Sequence, residues 1–212
     1  MINRVALTVA RCQPLHKGHC LIIHRMIEDF STVIIGLGSA NKSRDFVNPW
    51  TIEERMSMIR NVFGDRVKIV PLSDIGSEQH TDDWADYVLE KISKVNLPEP
   101  TDYFTGSIQD SLWYEGRFNR DHTREEMFRR TYQYVKGGAI PSDINPVLGY
   151  FTKNTVFRKL HDIKRNNNDI PSATELRGFL QLRNEGWKEW VPAVNHNLIE
   201  DTYLEEFKVK IK

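Results

Sequence analysis

Residues 5–19 read V-A-L-T-V-A-R-C-Q-P-L-H-K-G-H, and the fold turns on how this stretch divides. Val5 to Ala10 is a short apolar run of the kind that fills a strand buried on both faces. From Gly18 onward, Ile23, Met26, Ile27 and Phe30 recur at helical spacing. A strand therefore runs into Arg11 to His19, and a helix runs out. Beyond it the alternation continues. Thr32 to Gly38 (T-V-I-I-G-L-G) reads as a second buried strand. Thr51 and Glu54 form a capping box ahead of a stripe of Ile52, Met56, Ile59 and Phe63. Val67 to Leu72 predicts a third strand, Thr81 to Val95 a helix and Asp102 to Thr105 a fourth strand. Strands alternating with helices imply right-handed crossovers and a parallel, doubly wound α/β sheet. Such sheets bind ligands at the carboxyl ends of their strands, so residues 11–19 and 39–50 are expected to share one crevice.

The later chain is less regular. Thr123 to Val135 predicts a helix, Gly137 to Gly149 a loop, Phe157 to Ile163 a strand and Lys164 to Asp169 a polar loop. Ser172 with Glu175 is a second capping box, opening a helix through Leu176, Phe179 and Leu180. The tail from about Asn195 to Phe207 also reads as helix.

The chain has 212 residues, 40% hydrophobic and 27% charged, which suits one α/β domain with a real core. Its 29 basic and 29 acidic residues cancel, so no global field draws it to nucleic acid or an anionic membrane. Neither is expected as a partner; self-association into a homo-oligomer is left open. A polyanionic substrate must be held by local groups. No apolar run approaches the roughly 20 residues that span a bilayer. Arg4 interrupts the first apolar run and no small-residue cleavage site follows, so no signal peptide is expected. Cys12 and Cys20 are too few for a disulfide framework. The reading is a reduced, cytoplasmic protein in which both thiols are small apolar fillers.

Three segments carry chemistry. His16 and His19, at i and i+3, place two imidazoles on one face of a first helical turn. Gly18 between them leaves room for a phosphate near the backbone, and the first-turn N–H groups add partial positive charge. Two histidines alone supply too few ligands for a metal site. In the second segment, Ser172 caps a helix whose first turn offers Thr174 and whose next turn offers Arg177, a planar fork suited to phosphate oxygens. In the third, Gly36 to Arg44 and Asn48 to Arg55 supply small residues at a strand end, with Lys42 and Arg44 in reach of phosphate.

Together these segments resemble the H-x-G-H nucleotidyltransferases. They look closest to the archaeal-type nicotinamide mononucleotide adenylyltransferases and the adenylyltransferase half of bifunctional Nudix-fused proteins. The family's first motif, G-R-F-Q-P-x-H-x-G-H, is met here with Ala10 and Cys12 in place of glycine and phenylalanine; Arg11, Gln13, Pro14, His16, Gly18 and His19 are kept. The family's strand-two segment matches Gly38 to Asn41 and Asn48 to Arg55. Its late motif matches Ser172 to Arg177, with Pro171 inserted after Ile170.

The resemblance implies a Rossmann-like sheet in a single nucleotidyltransferase domain over residues 1–212. Residues 107–169 would be a mostly helical or irregular insertion or expanded region, followed by a C-terminal helical tail. No chain remains after Lys212 for a Nudix domain, so hydrolase activity is expected to be absent. The implied reaction is adenylyl transfer from ATP to nicotinamide mononucleotide, giving NAD and pyrophosphate. His16, His19, Arg11 and Arg177 would be catalytic. Gly18, Gly106, Ser107, Ser172 and Thr174 would bind ATP. Ser39, Asn41, Arg44, Trp50 and Trp84 would bind nicotinamide mononucleotide, Trp84 by stacking on its ring. Mg²⁺ would be held by the ATP phosphates and water, with no metal site on the protein. Other acceptors (nicotinate mononucleotide, phosphopantetheine, flavin mononucleotide), a CTP-using relative, or a nucleotide-sensing regulator without turnover are the alternatives.

Overall fold

The computed structural model describes residues 4–75, 82–106, 144–145, 149–151, 157–163 and 170–207. The opening run becomes strand β1 (Val5–Ala10). Helix α1 (Lys17–Asp29), β2 (Thr32–Leu37), α2 (Ile52–Phe63), β3 (Lys68–Pro71), α3 (Asp82–Lys94) and β4 (Asp102–Thr105) follow in the expected order. Beyond them lie β5 (Ile144–Asn145), β6 (Gly149–Phe151) and β7 (Phe157–Ile163). β1 sits in the middle of the sheet: Leu7 lies beside Ile34 of β2 on one side and Tyr103 of β4 on the other, both pairings parallel. β3 joins outside β2, and β7 joins outside β4, so five parallel strands stand in the order β3-β2-β1-β4-β7. β5 and β6 run antiparallel to β7.

The strand expected over Phe157 to Ile163 is β7 and belongs to the central sheet. One expectation is corrected. The loop expected over Gly137 to Gly149 contains Ile144–Asn145 and the first residue of β6. The helix expected over Thr123 to Val135 and the loop over Lys164 to Asp169 lie outside the described residues.

The two-residue period of β1 splits the core in two. Ala6 packs with Ile23 and Met26 of α1 and Met58 and Ile59 of α2. Val5 and Leu7 pack on the other face with Ala85, Val88 and Ile92 of α3. Helices thus cover both faces, which explains why β1 is apolar on both faces rather than alternating, with the hydroxyl of Thr8 satisfied by the Phe104 carbonyl. Two further helices, α4 (Ala173–Gln181) and α5 (His196–Phe207), close over the α1/α2 face through Leu176, Leu180, Ile199 and Tyr203. Polar pins fix them there: Asn195 Nδ2 donates to the Met58 carbonyl at 3.0 Å, and Trp50 Nε1 donates to Thr202 Oγ1 at 2.8 Å. The late motif is thereby carried back to the first. Among the described residues no helix is long and apolar enough to cross a membrane.

Candidate active site

The strand order reverses beside β1. The chain leaves β1 for β2 and β3 on one side and returns to β4 on the other. A crevice of about 350 Å³ opens there, at the carboxyl ends of β1 and β4. The first motif contributes Arg11, Cys12, Gln13, His16 and His19; β4 contributes Thr105 with Gly106 after it; α4 contributes Ser172, Thr174 and Arg177. Of the second segment, Gly38 lines this crevice. Asp45, farther along it, acts electrostatically on Arg177 in the crevice wall. The switch point falls between β1 and β4, not between β1 and β2.

His16 is the N-cap of α1, in extended conformation. Its Nδ1 accepts from the Gly18 N–H at 3.0 Å, and His19 Nδ1 accepts from the His16 N–H at 3.4 Å, an imidazole version of the capping box. Each Nδ1 is therefore an acceptor, so each neutral ring carries its proton on Nε2. The ring centroids are 3.9 Å apart. The pair offers two N–H donors to one ligand. The backbone contributes less than expected: the Lys17 N–H is already spent on the Trp190 carbonyl at 2.8 Å, and that of Gly18 on His16. Crowding by the His16 ring also requires glycine at Gly18. A Cβ there would lie 2.8 Å from Cε1 of the His16 ring, a rigid group that the cap bond holds in place.

α4 meets this turn through Arg177. Its Nη1 donates to the Gln13 carbonyl at 2.7 Å, and its Nη2 to Thr174 Oγ1 at 3.0 Å. Only 6% of Arg177 is exposed. Burial, and after it the like charge of Arg11, push its pKa below the usual arginine value; it is still a cation at neutral pH. Arg177 is thus not a side chain with little core to support, since it ties α4 to the first motif as well as facing the crevice. Arg11 is exposed and lines the same crevice. The Ser172 hydroxyl caps α4, accepting from the Glu175 N–H at 3.3 Å and donating to its carboxylate at 2.7 Å.

The residues expected for the acceptor are placed differently. Ser39 Oγ donates to Asp74 Oδ1 at 3.1 Å, Asn41 Oδ1 accepts from the Asp74 N–H at 2.9 Å, and Lys42 pairs with Asp74 at 2.7 Å. Arg44 pairs with Glu54 at 2.6 Å and donates to the Pro49 carbonyl at 3.3 Å. Trp50 is a core residue: it is wholly buried, its indole N–H is taken by Thr202, and its ring lies 5.6 Å from that of Tyr203. It cannot touch a ligand in the crevice. Its peptide is gripped by the Gln13 amide, which accepts from the Trp50 N–H and donates to the Trp50 carbonyl, both at 3.1 Å. Trp84 is partly buried against the α3-side cluster. Ser107 lies outside the described residues.

Asp74 and the Gln13 clasp were not foreseen. Asp74 lies past the end of β3, where only the strand-end rule could have pointed to it. Cys12 and Cys20 are both free and buried, and burial pushes each thiol up to about 12, with Arg55 partly opposing this at Cys12. Among the described residues no cluster of three or more His, Cys, Asp or Glu could hold a metal ion.

The cytidylyltransferase-like family model matches residues 7–177. The nicotinamide-nucleotide adenylyltransferase of Pyrococcus abyssi is 38% identical over 208 residues, covering 95% of this chain and 83% of that protein. That of Thermococcus kodakarensis is 33% identical over 199 residues, covering 91% and 79%. Among solved structures, a bifunctional NMN adenylyltransferase/ADP ribose pyrophosphatase from Francisella tularensis superposes with a TM-score of 0.59 at 19% identity, covering 98% of this chain and 56% of that one. This chain therefore spans about half the length of that two-activity protein, and the likeness shows the fold.

Proposed function

Because the chain belongs to the cytidylyltransferase-like family, among its nicotinamide-nucleotide adenylyltransferases, we propose that it makes NAD and pyrophosphate from ATP and nicotinamide mononucleotide. The observation that carries this reading is the convergence of two motifs on one crevice: Arg177 grips the carbonyl of Gln13, 164 residues away in sequence, beside His16 and His19.

The acceptor phosphate is largely a dianion at neutral pH, with a second pKa near ~6. It needs no general base and no covalent enzyme intermediate. One of its oxygens attacks the α-phosphorus in line. A new P–O bond forms, the bond to the β-phosphate bridging oxygen breaks, and its electron pair leaves on pyrophosphate. The protein's part is positioning and charge stabilisation. The Nε2–H groups of His16 and His19 donate to phosphate oxygens whose charge rises during transfer. Arg11 and Arg177 supply fixed positive charge, and the N-terminal turn of α4, with Ser172 and Thr174, receives the β- and γ-phosphates. Gly106 borders the adenosine, with Ser107 next to it. ATP enters as its Mg²⁺ complex, the ion held by phosphates and water. Ser39, Asn41, Arg44 and Trp84 take the nicotinamide mononucleotide. We place the reaction in the cytoplasm, in keeping with two free thiols.

A product assay with MgATP and each acceptor in turn tests this. NAD formed from nicotinamide mononucleotide faster than any product from nicotinate mononucleotide, phosphopantetheine or flavin mononucleotide supports the reading. Faster turnover of another acceptor would reassign the substrate, and binding of ATP without any product would make the chain a regulator.

A further inference from the structure

Arg55, on α2, is 0% exposed, yet the reaction as described gives it no part. Its guanidinium lies where the two central strands end. Nη1 donates to the Arg11 carbonyl at 2.8 Å and to the Gly38 carbonyl at 2.7 Å, Nη2 to the Ser39 carbonyl at 3.0 Å, and Nε to the Thr51 carbonyl at 3.2 Å. Both strand-end turns pass through non-glycine residues in the left-handed region: Cys12 at φ 50° follows Ala10 by two residues, and Ser39 at φ 50° follows Leu37 by two. Ala10 and Leu37 are register partners. The two turns are therefore near-equivalent, each holds a residue other than glycine in a strained conformation, and one side chain satisfies the carbonyls both leave over. The four bonds use all three guanidinium nitrogens, a fan that a single ammonium cannot reproduce.

We propose that Arg55 is a positioning residue that sets the distance between the two substrates. It holds Arg11, on the triphosphate side, in fixed register with Ser39, on the acceptor side, through their main chains. This rests on the adenylyl-transfer reading. In-line attack needs the acceptor oxygen within a fraction of an ångström of its place, and a misplacement of about 1 Å costs about 10²-fold. Neither substrate need touch Arg55, so its loss should act on kcat more than on binding.

Arg55→Lys and Arg55→Met are compared with the parent in three measurements: steady-state kinetics per folded molecule, calorimetric binding of a non-hydrolysable ATP analogue, and hydrogen–deuterium exchange. Expected are a kcat lower by about 10²-fold in both variants, an analogue Kd within about threefold of the parent, and faster exchange confined to residues 10–13 and 38–41. A kcat within about threefold of the parent in Arg55→Lys would overturn the proposal. So would an equal loss of analogue binding, exchange spread over the whole sheet, or failure of both variants to fold, since each makes Arg55 a residue of the fold alone. If the parent itself forms no NAD, the adenylyl-transfer reading fails, and the exchange pattern still reports whether Arg55 clamps the two turns.

Discussion

At the β1 end of the crevice, polar groups are held by buried hydrogen bonds. Arg177 is fixed by Gln13, Gln13 by Trp50, and the His16 ring by the start of its own helix. At the β2 and β3 ends, Ser39, Asn41, Lys42 and Arg44 bond instead to Asp74, past the end of β3, and Glu54, in the first turn of α2, in bonds that are part-buried or exposed. The first region is rigid before any ligand arrives, as a site that stabilises charge in a transition state must be. In the second, exposed pairs such as Lys42–Asp74 are individually weak and can be traded for ligand contacts. On the proposed reading, the triphosphate side works by pre-set geometry and the acceptor side by exchange of partners.

Substitutions at the rigid side should cost most. Arg177→Ala should lose ~10³-fold or more in turnover, the scale for arginines that stabilise a transferring phosphoryl group. It should also melt earlier, because the Gln13 carbonyl is left without its partner at a cost of about 1–3 kcal/mol. Arg177→Lys should recover part of both. Kinetics beside thermal melting decides this, and a fully active, equally stable Arg177→Ala would remove α4 from the triphosphate site. His19→Ala comes next, with turnover down on the order of 10²- to 10³-fold and little change in ATP affinity; turnover within a few-fold of the parent would mean the imidazole only closes the helix cap.

On the acceptor side the effects should be smaller and more selective. Trp84→Ala should raise the KM for nicotinamide mononucleotide about 3- to 10-fold, the worth of one aromatic stack, with the KM for ATP unmoved. If both rise together, or the protein simply melts earlier, Trp84 belongs to the α3-side core alone. The smallest effect concerns pH. The Cys12 thiol ionises at 9.0 in the unfolded chain and at about 12 in the folded one. Its contribution is fully present below pH 9 and is lost as pH rises from 9 toward 12. Cys12→Ala should therefore show a shallower loss of melting temperature than the parent over that window, and the parent should resist alkylation at neutral pH. Prompt alkylation of folded protein at pH 7 would show that the strand-end turn opens readily.

What the sequence revealed, and what it hid, follows the same division. Strand β1, the two capping boxes, the histidine pair and the late motif were legible, because each is decided by residues within about four positions of one another. Long-range partners were not. Nothing near Arg177 indicates that it reaches Gln13, and nothing near Trp50 indicates that the C-terminal helix will bury it. For a related reason, alternation of strands and helices does not state on which side of β1 the fourth strand will lie. At Gly18 the sequence did not show the crowding that a Cβ would meet from a ring folded back by the cap.

The most direct test of the account is a single incubation of the parent protein with nicotinamide mononucleotide, Mg²⁺ and ATP labelled at the α-phosphate. Label should appear in NAD, with one pyrophosphate released for each NAD and none of the label retained on the protein. Label left in a covalent protein adduct, or found in free AMP with no NAD formed, would contradict direct transfer between two substrates held in this crevice.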